Sequence, residues 1–382
     1  MDPEPKPTML EGRFGENPDY SWMLPTKYYT EPSIFEREKE AIFFKGWQVA
    51  GHVDDFEGVG SYSIFDFFDQ SIILIRCPDG EIRGFFNVCM HRGHQLLEGN
   101  GVVKRIICPY HAWSYDIDGT LVAAGNSEKV IEFDREEVCL TPVRVEEFAR
   151  MIFLNFDREA APIKETMAGL DDEFRAAIPG YDTLTLVRRD PFEVKANWKV
   201  VVENFVECYH CPIAHEHVMS GSNSLLKKSF ETVEHPHYMS HIIRSNNHEN
   251  PSYNFSPDDA IQDVFLWWMW PNMMFMSHPA GANFHIFNLI PIGPDLTAQT
   301  IDFYSYSKNP AKGDWEMFNF NAEDIANEDV SLCENVQRGL HSRGYRPGRL
   351  MVDKERTYRS EHCLHHFQRL VWDALNRGAA QS

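Results

Sequence analysis

The sequence predicts an α+β protein in which a small, mostly antiparallel β domain is followed by a larger mixed domain. Three observations carry this. Residues 34 to 44, "IFEREKEAIFF", place apolar side chains at helical spacing. From about residue 45 to 157 the chain runs in short strand-like stretches punctuated by turns. Beyond residue 158, helical texture alternates with aromatic-rich strands.

Residues 1–44 are read as an N-terminal segment, with the helix over 34–44, packing on the second domain. "GSYSIFDF", "SIILIR" and "EIRGFFNV" are the first domain's strands. "PDG" at 78–80 and "DIDGT" at 116–120 supply hairpin turns, with Gly80 and Gly119 taking the positive φ that other residues resist. The second domain, 158–382, opens with a helix in "ETMAGLDDEFRAAI", a strand in "TLTLVRR" and a long helix over "NWKVVVENFVECYHC". Strands "DVFLWWMW", "MMFMSH", "NFHIFNLIPIG" and "AQTIDFYSYS" follow, then helices over 323–340 and 360–376.

With 382 residues, 43% hydrophobic and 24% charged, the chain can build full-sized cores. Its net charge of −21 opposes nucleic acid and anionic membranes. No apolar run reaches ~18 residues and the N-terminus lacks a signal-peptide pattern, so the expected location is cytoplasmic. The eight cysteines fit a reducing compartment without disulfides.

Cys89-Met90-His91 and Cys108-Pro109-Tyr110-His111 place two thiolates and two imidazoles on two loops. That donor set means a metal centre. Structural zinc is the competing reading, but paired zinc ligands usually have two or more spacers, and one cysteine pair with one histidine pair suits a [2Fe–2S] cluster of mixed ligation. His94 reads as a surface or loop-capping residue.

In "NFVECYHCPIAHEHV", a helical projection puts Glu203, Asn204, Glu207 and His210 on one side. His215 lies about 140° from His210 on a regular helix, and Pro212 is expected to break the helix so that both rings converge. Two imidazoles and a carboxylate form the facial triad of non-haem Fe(II) sites. Asp329 lines up with Cys333, Val336 and Leu340 on an apolar stripe and is the expected carboxylate, whereas Asp324 and Glu328 read as solvated. Cys208 and Cys211 read as packing residues. Phe205, Tyr209, Phe265, Trp267, Trp268 and Trp270, with Phe275, are candidates for a substrate pocket; aromatic faces attract quaternary cations, although most of these rings would serve packing.

These motifs, in this order, resemble the Rieske-type non-haem iron oxygenases in their large catalytic (alpha) subunit, over about residues 28 to 375. "NVCMHRGH" and "CPYHAWSYDIDGTL" match the two cluster loops, with Ala112 where glycine is more common, and Glu207-x-x-His210-x4-His215 matches the iron motif. The resemblance implies a Rieske [2Fe–2S] domain over 45–157 with ligands Cys89, His91, Cys108 and His111. It implies a helix-grip catalytic domain over 158–382, with a curved antiparallel sheet, a long C-terminal helix and mononuclear Fe(II) on His210, His215 and Asp329. O2 is the implied co-substrate, and Glu207, with Asn204 beside it, the implied catalytic relay to the cluster of a neighbouring subunit in a homotrimer.

Glutamate at position 207 resembles the members acting on carnitine-, betaine- or choline-type quaternary amines. Hydroxylation or demethylation of an aromatic compound is the alternative, and a non-catalytic electron-transfer protein the alternative from another class. With no G-x-G-x-x-G fingerprint in the chain, NAD(P)H electrons are expected through a separate flavin/iron-sulfur reductase, with or without a ferredoxin.

Overall fold

The computed structural model describes residues 8–215, 230–244, 253 and 255–376. The chain divides into two compact units, one spanning Phe44–Ala168 and the other formed by Met1–Phe43 with Gly169–Ser382. The division falls about ten residues later than the expected 157/158 boundary. Residues of that stretch bond back onto the first unit, where Ala161 accepts from the Trp47 indole and the Ile163 N–H donates to Glu146.

In the first unit the strands are β1 (Gln48–His52), β2 (Ser61–Phe67), β3 (Gln70–Arg76), β4 (Ile82–Phe86), β5 (Asn100–Val102), β6 (Ile106–Ile107), β7 (Ser114–Tyr115), β8 (Leu121–Ala123), β9 (Pro142–Phe148) and β10 (Met151–Asn155). Seven form an antiparallel sheet in the order β1-β10-β9-β4-β3-β2-β5, and β8-β7-β6 form a small one. Ile73, Ile75 and Phe85 from the large sheet and Ile106, Tyr115 and Leu121 from the small one share one apolar core. That core carries the loops on which the cysteine–histidine pairs sit.

The second unit is built on a curled seven-stranded antiparallel sheet. Its strands are β11 (Thr185–Val194), β12 (Phe230–Glu234), β13 (Tyr238–Ile243), β14 (Val264–Met269), β15 (Met273–Ser277), β16 (Asn283–Gly293) and β17 (Leu296–Ser305), ordered β11-β17-β16-β15-β14-β13-β12. Side chains alternate between its faces. On one face, Phe174 of α2 (Leu170–Ala177) packs edge-on against Trp267, Phe275 and Phe284. On the other, Trp268 meets Phe367 of α7 (His362–Asn376), Phe287 meets Phe205 of α3 (Trp198–Phe205), and His285 meets Phe318 of α5 (Lys312–Asn319).

The expected N-terminal helix begins as α1 (Pro32–Glu38) and widens into a π turn at Lys39–Phe43. It is tied to α3 by an ion pair with no exposed surface, Lys199 Nζ to Glu38 at 2.5 Å, with the Trp198 indole donating to the same carboxylate at 2.9 Å. A charge buried this deeply persists only when paired and hydrogen-bonded, so both partners are structural. Glu203, expected on a polar helix face, is buried and accepts from the Tyr29 hydroxyl at 2.7 Å and the Gln368 amide at 2.9 Å.

Candidate metal centres

The two cysteine–histidine loops have one backbone design. Cys89 N–H donates to His94 O and Cys108 N–H to Trp113 O, each at 2.8 Å, while Gly93 and Ala112 donate back to the carbonyls of Cys89 and Cys108. Both four-residue returns need a left-handed residue, and Gly93 (φ +71°) and Ala112 (φ +57°) supply it. The resulting twist sends both thiols into the core, each 2% exposed, and leaves both imidazoles at the surface. The His91 and His111 rings lie 4.7 Å apart, with Trp113 stacked on His91. Buried free thiols on one side and two adjacent imidazoles on the other fit a cluster with two cysteines on one iron and two histidines on the other. The buried Tyr115 hydroxyl stands 3.4 Å from the Cys89 sulfur and accepts from the Met90 N–H, holding the first loop from beneath.

The second centre corrects the expected helix. α3 ends at Phe205, before the motif, and Pro212 opens a separate one-turn helix, α4 (Cys211–Ala214), instead of breaking a continuous one. The cause is local: Glu207 Oε2 accepts the backbone N–H groups of Tyr209 and His210, which would otherwise extend the helix. Cys208 and Cys211, expected as packing residues, are joined by a disulfide across this turn.

His210 and His215 thereby reach the same carboxylate oxygen. Oδ1 of Asp329, on α6 (Ala326–Leu340), is 3.5 Å from His210 Nε2 and 3.3 Å from His215 Nε2. That oxygen is buried and has no hydrogen-bond partner among the described residues. These separations are long for hydrogen bonds and suit three donors around one ion at roughly 2.1 Å from each. The opposite nitrogens are occupied: His210 Nδ1 is 2.5 Å from Glu207 Oε1 and His215 Nδ1 is 2.7 Å from Glu328 Oε2. Carboxylates on Nδ1 fix the tautomer and turn both Nε2 atoms inward. Burial works against charge on His215, but Asp329 and Glu328 outweigh it and lift its pKa to about 8. Two imidazoles and a carboxylate, leaving positions open, fit a mononuclear Fe(II).

Glu328 is the residue that the solvated reading missed. An acid beside a candidate ligand deserved weight because a histidine that ligates through Nε2 needs an acceptor at Nδ1. Asp324 is exposed, as expected. The apolar line through Asp329 runs by Cys333, Gln337 and Leu340, with Val336 half exposed.

The aromatic candidates separate. Phe265 and Trp267 stack on each other on the α2 side of the sheet, where Glu173 accepts from the Trp267 indole, so they face away from α3. Trp268 and Trp270 pack against Phe367. Phe205 reaches Phe287 on the inner face, Asn204 is half-buried beside it, and Tyr209 is exposed. His94 lies at the surface with a ring nitrogen against the Gln95 carbonyl.

Comparison with known proteins finds relatives along nearly the whole chain. Residues 46–134 match the model of the Rieske [2Fe-2S] domain and residues 181–377 that of the ring hydroxylating alpha subunit catalytic domain. The chain is 36% identical to the carnitine monooxygenase oxygenase subunit of Acinetobacter baumannii over 94% of its length and 96% of the other's. It is 28% identical to the chloroplastic choline monooxygenase of Spinacia oleracea over 91% of its length and 78% of the other's. The crystal structure of the quaternary ammonium Rieske monooxygenase CntA with L-carnitine superimposes with a TM-score of 0.83 at 34% identity, covering 96% of this chain and 99% of that one.

Proposed function

Since the chain belongs to the Rieske non-haem iron oxygenases as a ring-hydroxylating-type alpha subunit, we propose that its substrate is a quaternary ammonium compound of the carnitine, betaine or choline type. The likeness to carnitine monooxygenase oxygenase subunits along 94% of the chain carries this reading. Trp267 and Phe265 lend it no support, because they pack on the far side of the sheet.

Cys89, His91, Cys108 and His111 are proposed to hold the [2Fe–2S] cluster, and His210, His215 and Asp329 the iron. When bound, the cluster supplies electrons and the iron a site for O2. The protein's part is positioning: Glu207 and Glu328 fix the two imidazoles, and the buried, unbonded Asp329 oxygen waits between them. Glu207 is also proposed to link His210 to a cluster histidine of the neighbouring subunit in a homotrimer. The structure of a quaternary ammonium Rieske monooxygenase 33% identical to this chain gives insights into inter-subunit electron transfer in that protein. Electrons are proposed to come from NAD(P)H through a flavin/iron-sulfur reductase, with or without a ferredoxin. A net charge of −21 favours basic groups on that partner.

The test is substrate-coupled O2 consumption by anaerobically iron-loaded protein with a surrogate reductase, comparing carnitine, glycine betaine and choline with benzoate- and phthalate-type aromatics. Turnover with a quaternary amine and release of the dealkylated or cleaved product is expected. Coupling to aromatics alone would sink the substrate assignment, and a monomeric mass in solution would remove the intersubunit role of Glu207.

A further inference from the structure

A trimethylammonium group neither donates nor accepts a conventional hydrogen bond, so a site that held only this group would have no use for buried polar side chains. The inner face of the catalytic sheet nevertheless carries some. His285 is fully buried and neither ring nitrogen has a hydrogen-bond partner among the described residues; His278 is 7% exposed, with Nε2 likewise unpartnered. The two rings are 5.4 Å apart. An orphaned buried polar atom costs roughly 1 to 3 kcal/mol, so such atoms call for an occupant.

The register places these histidines relative to the iron ligands. Leu266 on β14 packs in one cluster with Cys208 and Cys211, the cysteines that flank His210. Leu266 is directly opposite Met276, and Met276 opposite His285, on the face turned toward α3 and α5. Adjacent strands are about 4.8 Å apart, so this row runs about 10 Å from Leu266, which packs beside the histidine loop, to His285. Its middle, Leu266 and Met276, is apolar.

We propose that His285 and His278 form a subsite for the carboxylate of a zwitterionic substrate whose ammonium end lies toward His210 and His215. The inference rests on the quaternary-ammonium reading above and deepens it. Each neutral imidazole has one N–H to give, and a carboxylate accepts several such bonds. Burial holds both rings neutral, with His278 pushed down to about 4 and His285 well below its ordinary range. A carboxylate bound between them favours proton uptake by the pair. The length of the row favours a spacer of several carbons over the single carbon of glycine betaine.

The test is anaerobic calorimetric titration of the iron-loaded holoenzyme with γ-butyrobetaine, with pentyltrimethylammonium, which lacks the carboxylate, and with glycine betaine. Wild-type protein is expected to prefer γ-butyrobetaine to pentyltrimethylammonium by at least about tenfold. Binding of γ-butyrobetaine, measured in buffers of different ionisation enthalpy, is expected to take up a proton. In His285→Leu, and separately in His278→Leu, the preference collapses toward unity while pentyltrimethylammonium keeps its affinity within about threefold. Equal affinities in the wild type, or a preference that survives both substitutions, overturns the subsite and leaves the quaternary-ammonium reading standing. If none of the three ammonium ligands binds the wild type, that reading falls and the subsite with it. Equal wild-type affinities overturn the proposal without any variant, so it stays falsifiable even if a substitution impairs folding.

Discussion

Nδ1 of His215 lies 2.7 Å from Oε2 of Glu328, while Nε2 of the same ring faces Asp329 Oδ1 at 3.3 Å. Two consecutive acids on α6 therefore address the two nitrogens of one histidine. Glu328 fixes the ring's orientation and Asp329 shares the space into which it points.

Glu328→Ala is expected to weaken Fe(II) binding by about 10- to 100-fold, the usual cost of losing the acceptor behind a ligating histidine. Glu328→Gln keeps an acceptor and should retain most of the affinity. Anaerobic Fe(II) titration against a competing chelator reads this without turnover. Equal binding in wild type and Glu328→Ala would show that the carboxylate is not needed to position the ring.

Asp329→Ala removes the shared carboxylate. Turnover is expected to fall by at least about a hundredfold, with the iron lost on desalting. The visible and EPR signatures of the cluster should be unchanged, because its proposed ligands lie in the other unit. Intact turnover in this variant would remove Asp329 from the ligand set.

The sequence made legible which residues the structure gathers at each centre and left their local geometry hidden. Cys89 and His91, like Cys108 and His111, stand in short spacings on loops, where close order along the chain nearly guarantees closeness within each pair, while the shared core of the two sheets brings the pairs together. The end of α3 at Phe205 was hidden because the Glu207 side chain captures backbone N–H groups, which periodicity cannot register. The facing of Trp267 was hidden for a different reason. Alternation says that Trp267 and Trp268 oppose each other, but only the placement of α2 and α7 says which one faces inward.

Ala112 sits at φ +57°, where an L side chain is strained by about 1 to 2 kcal/mol. Glycine relieves that strain at a cost in unfolded-state entropy of about 0.5 to 1 kcal/mol, so Ala112→Gly is expected to stabilise the first unit by up to about 1 kcal/mol. The readout is the melting temperature of the cluster-loaded protein, followed by bleaching of the cluster absorbance. A lower melting temperature would mean that the alanine methyl makes a contact worth more than the strain.

Glu203 provides the pH-dependent prediction. Burial raises its pKa from 4.5 to about 7, with the Tyr29 and Gln368 hydrogen bonds and the charge of Lys199 working the other way. Between those values the folded protein keeps a proton that the unfolded chain has released. Its contribution to stability is therefore complete below about pH 4.5 and is lost as the pH rises to about 7, at about 1.4 kcal/mol per unit. Glu203→Gln keeps an oxygen for Tyr29 and Gln368 to donate to and cannot ionise. The variant should melt close to wild type at pH 5 and progressively above it toward pH 8. A difference in melting temperature that stays constant across this range would show that Glu203 does not titrate within it, and that the carboxylate is held charged by Lys199 instead.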